Sequence, residues 1–322
     1  MINVLLAGFG GLGDQDHQTA MYLPAFTAHP AFRIAGVAAT HPADEPRALA
    51  AAESAGVPYH ADLATALSTV DAPVVSVAAP AQTRTDALLT AVRAGRHVLA
   101  DKPFTPTRAE AEQVVAAAEG TGIVVAQHHR YHPMVTAGVA ALRGGTVGLP
   151  WNVQVDFVVA GGHPCQDELL NFGGYPVDVV AALTNLPVLR VHATAAGPLT
   201  VLALGHEHGM TSTIVVGRTA PRAGVPEGRL AHHRYRVSGS HGVLVLDATK
   251  PAVTVSTASG LDRQWLPVDT LTGLLDDLHA VVTGAKPAGP TLDDALRTAA
   301  VLDAARRSLT EGVPVATDGG TA

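Results

Sequence analysis

The chain has a single cysteine, Cys165, in 322 residues. No disulfide can close within it and no multi-cysteine metal site can form, so a reducing, cytoplasmic setting is expected. Lysine is almost as scarce: Lys102, Lys250 and Lys286 are the only three. Aromatic side chains make up 4% of the residues, too few for base-stacking platforms, and the formal net charge of −7 comes without a basic stripe. Nucleic acid is therefore excluded as the main partner. No apolar run reaches the roughly 20 residues of a membrane helix, and Met1-Ile2-Asn3 opens neither a basic nor a long apolar leader, so no membrane partner is expected. The 16 histidines include clusters at His128, His129 and His132, at His206 and His208, and at His232 and His233. A structural zinc wants a closed tetrahedral set, and no metal is assigned on these spacings.

What is present is apolar material, 47% of the residues, enough for about two domains of roughly 150 residues. The first part alternates short apolar strands with helical stretches. Strands are expected at 4–7, 34–38, 57–60, 74–78, 97–100 and 123–126. Helices are expected from about 15, and at 46–55, 63–67, 83–94 and 107–119, with Thr107 and Glu110 as a capping box. Strands at this spacing imply right-handed βαβ units and a parallel, doubly covered sheet over residues 1–127. Beyond it, segments at 151–160, 188–196, 211–216, 234–238 and 243–246 alternate apolar with polar residues, as a half-exposed antiparallel sheet does. Helices are expected there at 134–143, 175–184, 271–283 and 292–309, and a Pro-, Gly- and Arg-rich loop at 218–228. The fold class is α/β followed by α+β: a Rossmann domain, then an open, mainly antiparallel domain over 128–322. The helix at 292–309 is expected to pack back on the first domain.

Gly8-Phe9-Gly10-Gly11-Leu12-Gly13 has the form G-x-G-x-x-G directly after the first strand. In that context the glycines give the tight turn, the close backbone approach to a pyrophosphate and the close helix–strand packing, while free N–H groups at the helix start meet the phosphates. Asp14 and Asp16 follow, and are expected to turn to solvent rather than face the phosphates. An NAD site usually carries Asp or Glu at the end of the second strand to bind the ribose hydroxyls. Here that strand runs into Ala39-Thr40-His41. A short polar residue leaves room for a 2′-phosphate, with Thr40, His41 or Arg47 to bind it, so NADP is favoured and NAD remains open.

The segment Ala94-Gly95-Arg96-His97-Val98-Leu99-Ala100-Asp101-Lys102-Pro103 puts a rare lysine at the C-terminal end of a strand, where open α/β sheets bind substrates. An ammonium there can hydrogen-bond a substrate oxygen and assist a proton transfer. The segment resembles the A-G-K-H-V-x-x-E-K-P signature of the Gfo/Idh/MocA oxidoreductase family, with Asp101 in place of the commoner glutamate. The resemblance extends over nearly the whole chain. It takes in the glycine loop, Ala79-Pro80 where the family has a Thr-Pro turn, the stretch Val125 to Pro133 with Arg130, and the ending from Leu292 to Val315.

The resemblance implies that Lys102 lies beside the nicotinamide and the substrate, that the Lys102–Pro103 peptide is often cis, and that Ala79, Pro80, Asp101, Pro103 and Arg130 border the cofactor. The family's D-x-G-x-H-x-x-D stretch corresponds to Asn171-Phe172-Gly173-Gly174-Tyr175-Pro176-Val177-Asp178. Asn171 replaces the first aspartate and Tyr175 the histidine, as in the branch where tyrosine is the acid. A phenol with an ordinary pKa of about 10 is brought toward the working range by a neighbouring ammonium such as Lys102. Tyr175 is therefore the expected proton donor or acceptor, and Asp178 is expected to orient Lys102 or Tyr175. Asn171, Tyr175, His129 and His163 are placed with the substrate. Arg84 stands where the family often has histidine.

The expected activity is reversible hydride transfer between NAD(P) and a hydroxyl or carbonyl carbon of a sugar, cyclitol or related polar small molecule. The missing carboxylates motivate two alternatives: a dinucleotide-binding sensor without turnover, and a non-redox sugar enzyme that uses the cofactor transiently. The exposed sheet face of the second domain implies, by family analogy, a homo-oligomer.

Overall fold

The strands at the front of the chain are apolar on both faces, so they need helices on both sides, and a parallel sheet results. A computed structural model describes residues 1–12, 15–165, 167–221, 223–224, 228–249, 252–265 and 268–317. The chain divides into two units, Met1–His128 with Leu271–Leu296, and His129–Thr270 with Arg297–Ala322. The sequence reading gave 128–322 to the second domain, with the helix at 292–309 packing back on the first; residues Leu271–Leu296 cluster with the first unit. Their helix has its own apolar stripe, Leu274, Leu275 and Leu278, and a side chain added at Gly122 would collide with Val281.

In the first unit, β1 (Ile2–Ala7), β2 (Phe32–Ala38), β3 (Tyr59–His60), β4 (Val74–Val77), β5 (His97–Ala100) and β6 (Ile123–Val125) form a sheet in the order β3-β2-β1-β4-β5-β6. All its pairings are parallel. The order reverses between β1 and β4, which opens a crevice at their C-terminal ends. Between the strands lie α1 (Leu23–Ala28), α2 (Glu45–Ala55), α3 (Leu63–Thr69), α4 (Ala81–Arg93) and α5 (Arg108–Ala117). Leu5, Ala7, Val75, Val77, Val98 and Ala100 share one core with Leu63, Leu88, Ala91 and Val114 of α3 to α5. The expected capping box forms: Thr107 Oγ1 accepts from the Glu110 N–H at 3.3 Å and donates to the Glu110 carboxylate at 2.7 Å. The helix after the glycine loop differs from the expected simple α-helix. A π turn over Gln18–Tyr22 precedes α1.

In the second unit, α6 (Pro133–Arg143), α7 (Glu168–Phe172) and α8 (Gly174–Thr184) accompany nine strands. These are β7 (Pro150–Ala160), β8 (Val188–Ala196), β9 (Leu199–His206), β10 (Thr211–Thr219), β11 (Arg229–Gly239), β12 (Gly242–Asp247), β13 (Ala252–Thr257), β14 (Gly260–Trp265) and β15 (Val315–Ala316). Their order is β14-β13-β12-β11-β7-β10-β9-β8-β15, antiparallel except where β10 meets β7. Along β7 and β11, Val153, Val155, Phe157, His233, Tyr235 and Val237 are buried, while Gln154, Asp156, Arg234 and Arg236 face outward. α6 reaches the covered face through Gly138, where an added Cβ would lie 2.9 Å from Leu246. The two remaining helices are α9 (Thr272–Val282), in the first unit, and α10 (Leu292–Glu311), whose residues from Arg297 on belong to the second.

The sequence reading missed α7, β9, β13, β14 and β15. β15 is two residues long and β14 is exposed at every residue, so neither carries a buried pattern. The expected loop at 218–228 begins two residues late, because β10 runs to Thr219; its residues 222 and 225–227 lie outside the described residues. Among the described residues no helix is long and apolar enough to cross a membrane.

Candidate active site

The glycine loop sits at the crevice between β1 and β4. Gly8 has φ +79°, a left-handed conformation suited to glycine. A Cβ there would lie 2.7 Å from Ala79 Cα and 2.8 Å from Thr40 Oγ1, and one at Gly10 would lie 2.8 Å from Pro80 Cγ. The predicted loop residues Gly8 to Leu12 are thus brought against the predicted Ala79–Pro80 turn and Thr40. Gly13 and Asp14 lie outside the described residues. Asp16 does not simply turn to solvent: its carboxylate accepts the Thr19 N–H at 3.0 Å and caps the π turn.

Beside the loop, at the end of β2, lies a cavity of about 590 Å³ bordered by Thr40, His41, Tyr59, Leu63 and Thr83. That is ample for one end of a dinucleotide. The Thr83 hydroxyl oxygen is buried without a hydrogen-bond partner among the described residues, so an acceptor or donor from a ligand would satisfy it. Gap, loop and orphaned hydroxyl together fit an adenosine dinucleotide.

A carboxylate lies close to the end of β2, bonded to Thr40. Asp44, 3% exposed, ends a short 3-10 turn (Pro42–Asp44) and accepts from Thr40 Oγ1 at 2.9 Å and from the Thr40 N–H at 3.4 Å. His41 Nδ1 accepts from the Ala43 N–H at 3.1 Å. Arg47 donates to the Phe9 carbonyl at 3.1 Å, which fastens a cation to the glycine loop.

At the end of β5 the Lys102–Pro103 peptide is cis. Lys102 is buried, and its ammonium donates to Gln15 Oε1 at 2.9 Å. Asp101, 1% exposed, accepts from Tyr22 Oη at 2.6 Å, lies 2.9 Å and 3.1 Å from His17 Nδ1, and is 3.6 Å from the Arg84 guanidinium. Burial pushes the Asp101 carboxyl up. The charge and hydrogen bond of His17, with the Arg84 and Lys102 cations, outweigh this and hold it below the usual carboxylate range. Asp101, placed with the cofactor by resemblance, therefore spends its carboxylate on protein groups. His17, Tyr22 and Arg84 were not assigned a role here from the sequence. The π turn aims the first two at Asp101, and π turns recur at functional sites.

In the second unit, Tyr175 opens α8 and its ring stacks on His129, with centroids 4.1 Å apart and planes 11° apart. Phe157 and His233 pack beside them. His233 Nε2 lies 3.0 Å from Tyr235 Oη. Burial pulls His233 down to about 3, with His132 adding to the effect and Asp247 opposing it. Burial, reinforced by the Asp178 carboxylate, pushes the Tyr235 phenol up. Asp178, expected to orient Lys102 or Tyr175, takes a two-pronged grip from Arg130 at 2.9 Å and 2.8 Å. Arg130, expected at the cofactor, meets it because two buried or half-buried opposite charges in one unit pair. Asn171 donates to Glu168 at 3.1 Å, and Glu168 is held by Arg218 at 2.6 Å. His163 is exposed in the loop after β7. Among the described residues no three His, Cys, Asp or Glu side chains converge on a possible metal.

Residues 2–129 match the model of the Gfo/Idh/MocA oxidoreductase family, described as having an NAD-binding Rossmann fold. The chain is also 31% identical over 287 residues to dTDP-3,4-didehydro-2,6-dideoxy-alpha-D-glucose 3-reductase of Streptomyces antibioticus, an alignment covering 81% of this chain and 84% of that one. The chain belongs to the Gfo/Idh/MocA oxidoreductase family. It is accordingly an NAD(P)-dependent oxidoreductase. A second member, inositol 2-dehydrogenase 1 of Saccharopolyspora erythraea, is 28% identical over 87% of this chain and 88% of its own. A solved structure, a 3-ketoreductase of Actinomadura kijaniata in complex with TDP-benzene and NADP, superposes with TM-score 0.81 at 23% identity, covering 96% of this chain and 98% of its own. That likeness shows the shared Gfo/Idh/MocA fold.

Proposed function

We propose that the protein interconverts a hydroxyl and a carbonyl on a sugar or cyclitol ring, with Lys102 and Tyr175 handling the substrate oxygen. The observation that carries this reading is the buried Lys102 ammonium at the C-terminal end of β5, bonded to Gln15 just past the glycine loop. Relatives that act on a dideoxy ketosugar and on inositol support the substrate class. The bound nicotinamide supplies or takes the hydride. In reduction, Tyr175 Oη gives its proton to the carbonyl oxygen as that oxygen becomes a hydroxyl; in oxidation it takes the proton back. The Lys102 ammonium hydrogen-bonds the same oxygen and stabilises its developing negative charge. His129 holds the Tyr175 ring by stacking, and Asn171, His129 and His163 bind the remaining substrate hydroxyls. Asp178 and Arg130 hold each other and fix the start of α8. The backbone of Gly8 to Leu12, with Ala79, Pro80 and Pro103, borders the dinucleotide.

For the nucleotide, Thr40, His41 and Arg47 at the end of β2 support NADP, since a guanidinium already lies on the loop. A second reading, NAD, is favoured by charge: Glu45, Asp62 and Asp86 line the neighbouring cavity, and a 2′-phosphate would face them. Fluorescence titration with NADPH and with NADH decides between the two. Tighter NADPH binding supports a 2′-phosphate at the end of β2; tighter NADH binding overturns the NADP preference. The exposed Trp151, Leu261 and Trp265 on the second unit's sheet support self-association, which sedimentation measures.

The activity itself is tested by following nucleotide oxidation state with inositols, aldoses and a dTDP-linked ketosugar. Lys102→Met and Tyr175→Phe are each expected to lower kcat by about a hundredfold or more, with nucleotide affinity little changed. The double variant is expected to lose less than the two single losses multiplied together, because both groups serve one oxygen. Full activity in both single variants refutes the mechanism. Nucleotide binding without turnover of any panel member favours a sensor.

A further inference from the structure

Arg84 lies in the first turn of α4 and is 1% exposed. Its Nε and Nη2 donate to the Ala79 carbonyl at 3.0 Å and 2.7 Å. Its Nη1 donates to the carbonyls of Asp101 at 3.2 Å and Pro103 at 2.5 Å. One planar group therefore ties the end of β4 to the residues on both sides of Lys102. Buried carbonyls need such donors. A histidine offers two ring nitrogens and a lysine one compact ammonium, so neither reproduces the fork. The charge is balanced within the same cluster by Asp101, which His17 and Tyr22 grip by its side chain.

We propose that Arg84 is a positioning residue for the redox reaction: by holding the carbonyls of Ala79, Asp101 and Pro103 it fixes the cis turn that presents the Lys102 ammonium. It acts on turnover through Lys102 and touches neither nucleotide nor substrate. The inference rests on the reading of Lys102 given above.

The scarcity of lysine makes the test direct, since only Lys102, Lys250 and Lys286 carry amines along the chain. Competitive acetylation with acetic anhydride, read peptide by peptide by mass spectrometry, gives the labelling of buried Lys102 relative to exposed Lys286. In Arg84→Met, assayed well below its melting temperature, that ratio is expected to rise by about tenfold as the turn loosens. Labelling through global unfolding is subtracted for each variant from its unfolding free energy measured in urea. NADPH affinity is expected to stay within about threefold, and kcat on the fastest panel sugar to fall by about tenfold to a hundredfold with KM little moved. Arg84→Lys is expected to recover part of both the ratio and kcat. If Arg84→Met does not fold, Arg84→Lys and Arg84→His carry the test, and each is expected to raise the ratio. An unchanged ratio together with wild-type kcat overturns the role of Arg84, even if Lys102→Met is inactive and the reading of Lys102 stands. Wild-type kcat in Lys102→Met fails the Lys102 reading itself, and the Arg84 proposal with it.

Discussion

His233 is expected to make the second unit lose stability in mild acid. The side chain is 3% exposed, its Nε2 accepts from Tyr235 Oη at 3.0 Å, and the rings of Phe157 and His129 pack on it. Its pKa in the folded protein is about 3, against about 6.5 for an unfolded histidine. Because the folded value is depressed, the unfolded chain binds the extra proton first. The stabilising contribution is full above pH 6.5 and is lost as pH falls toward 3. At about 1.4 kcal/mol per unit, the whole shift corresponds to about 5 kcal/mol, of which about 2 kcal/mol is gone by about pH 5. In His233→Phe the titrating group is absent. The variant pays a pH-independent cost of about 1–3 kcal/mol for the Tyr235 hydroxyl left without this partner. Urea unfolding of both proteins between about pH 5 and pH 8 should therefore show the stability gap closing by about 2 kcal/mol toward the acid end. Parallel curves would refute the assignment of His233 as a neutral, buried acceptor.

Gly8→Ala places a Cβ 2.7 Å from Ala79 Cα on a residue with φ +79°; nucleotide affinity is expected to fall by about tenfold or more, as measured by fluorescence titration. Arg130→Met removes the guanidinium that grips Asp178, a carboxylate only 1% exposed. It is expected to cost about 3–5 kcal/mol in urea unfolding, with Arg130→Met/Asp178→Leu recovering most of it.

The sequence alone determined the parallel sheet, because its strand apolarity, glycine loop and caps are local signals with a period. Thr107 with Glu110, and the motif at Gly8, could be read residue by residue for that reason. The resemblance at Lys102–Pro103 likewise located the turn and its cis peptide. The partners of buried charges were another matter. Asp44 reaches Thr40 through a 3-10 turn, and His17 and Tyr22 reach Asp101 across 84 and 79 positions through a π turn. Arg84 closes on three carbonyls, and Arg130 claims Asp178 over 48 positions. Such pairings depend on which strand ends lie side by side and on which charges must be neutralised away from water. A one-dimensional pattern holds neither piece of information, so only the tertiary structure decided them.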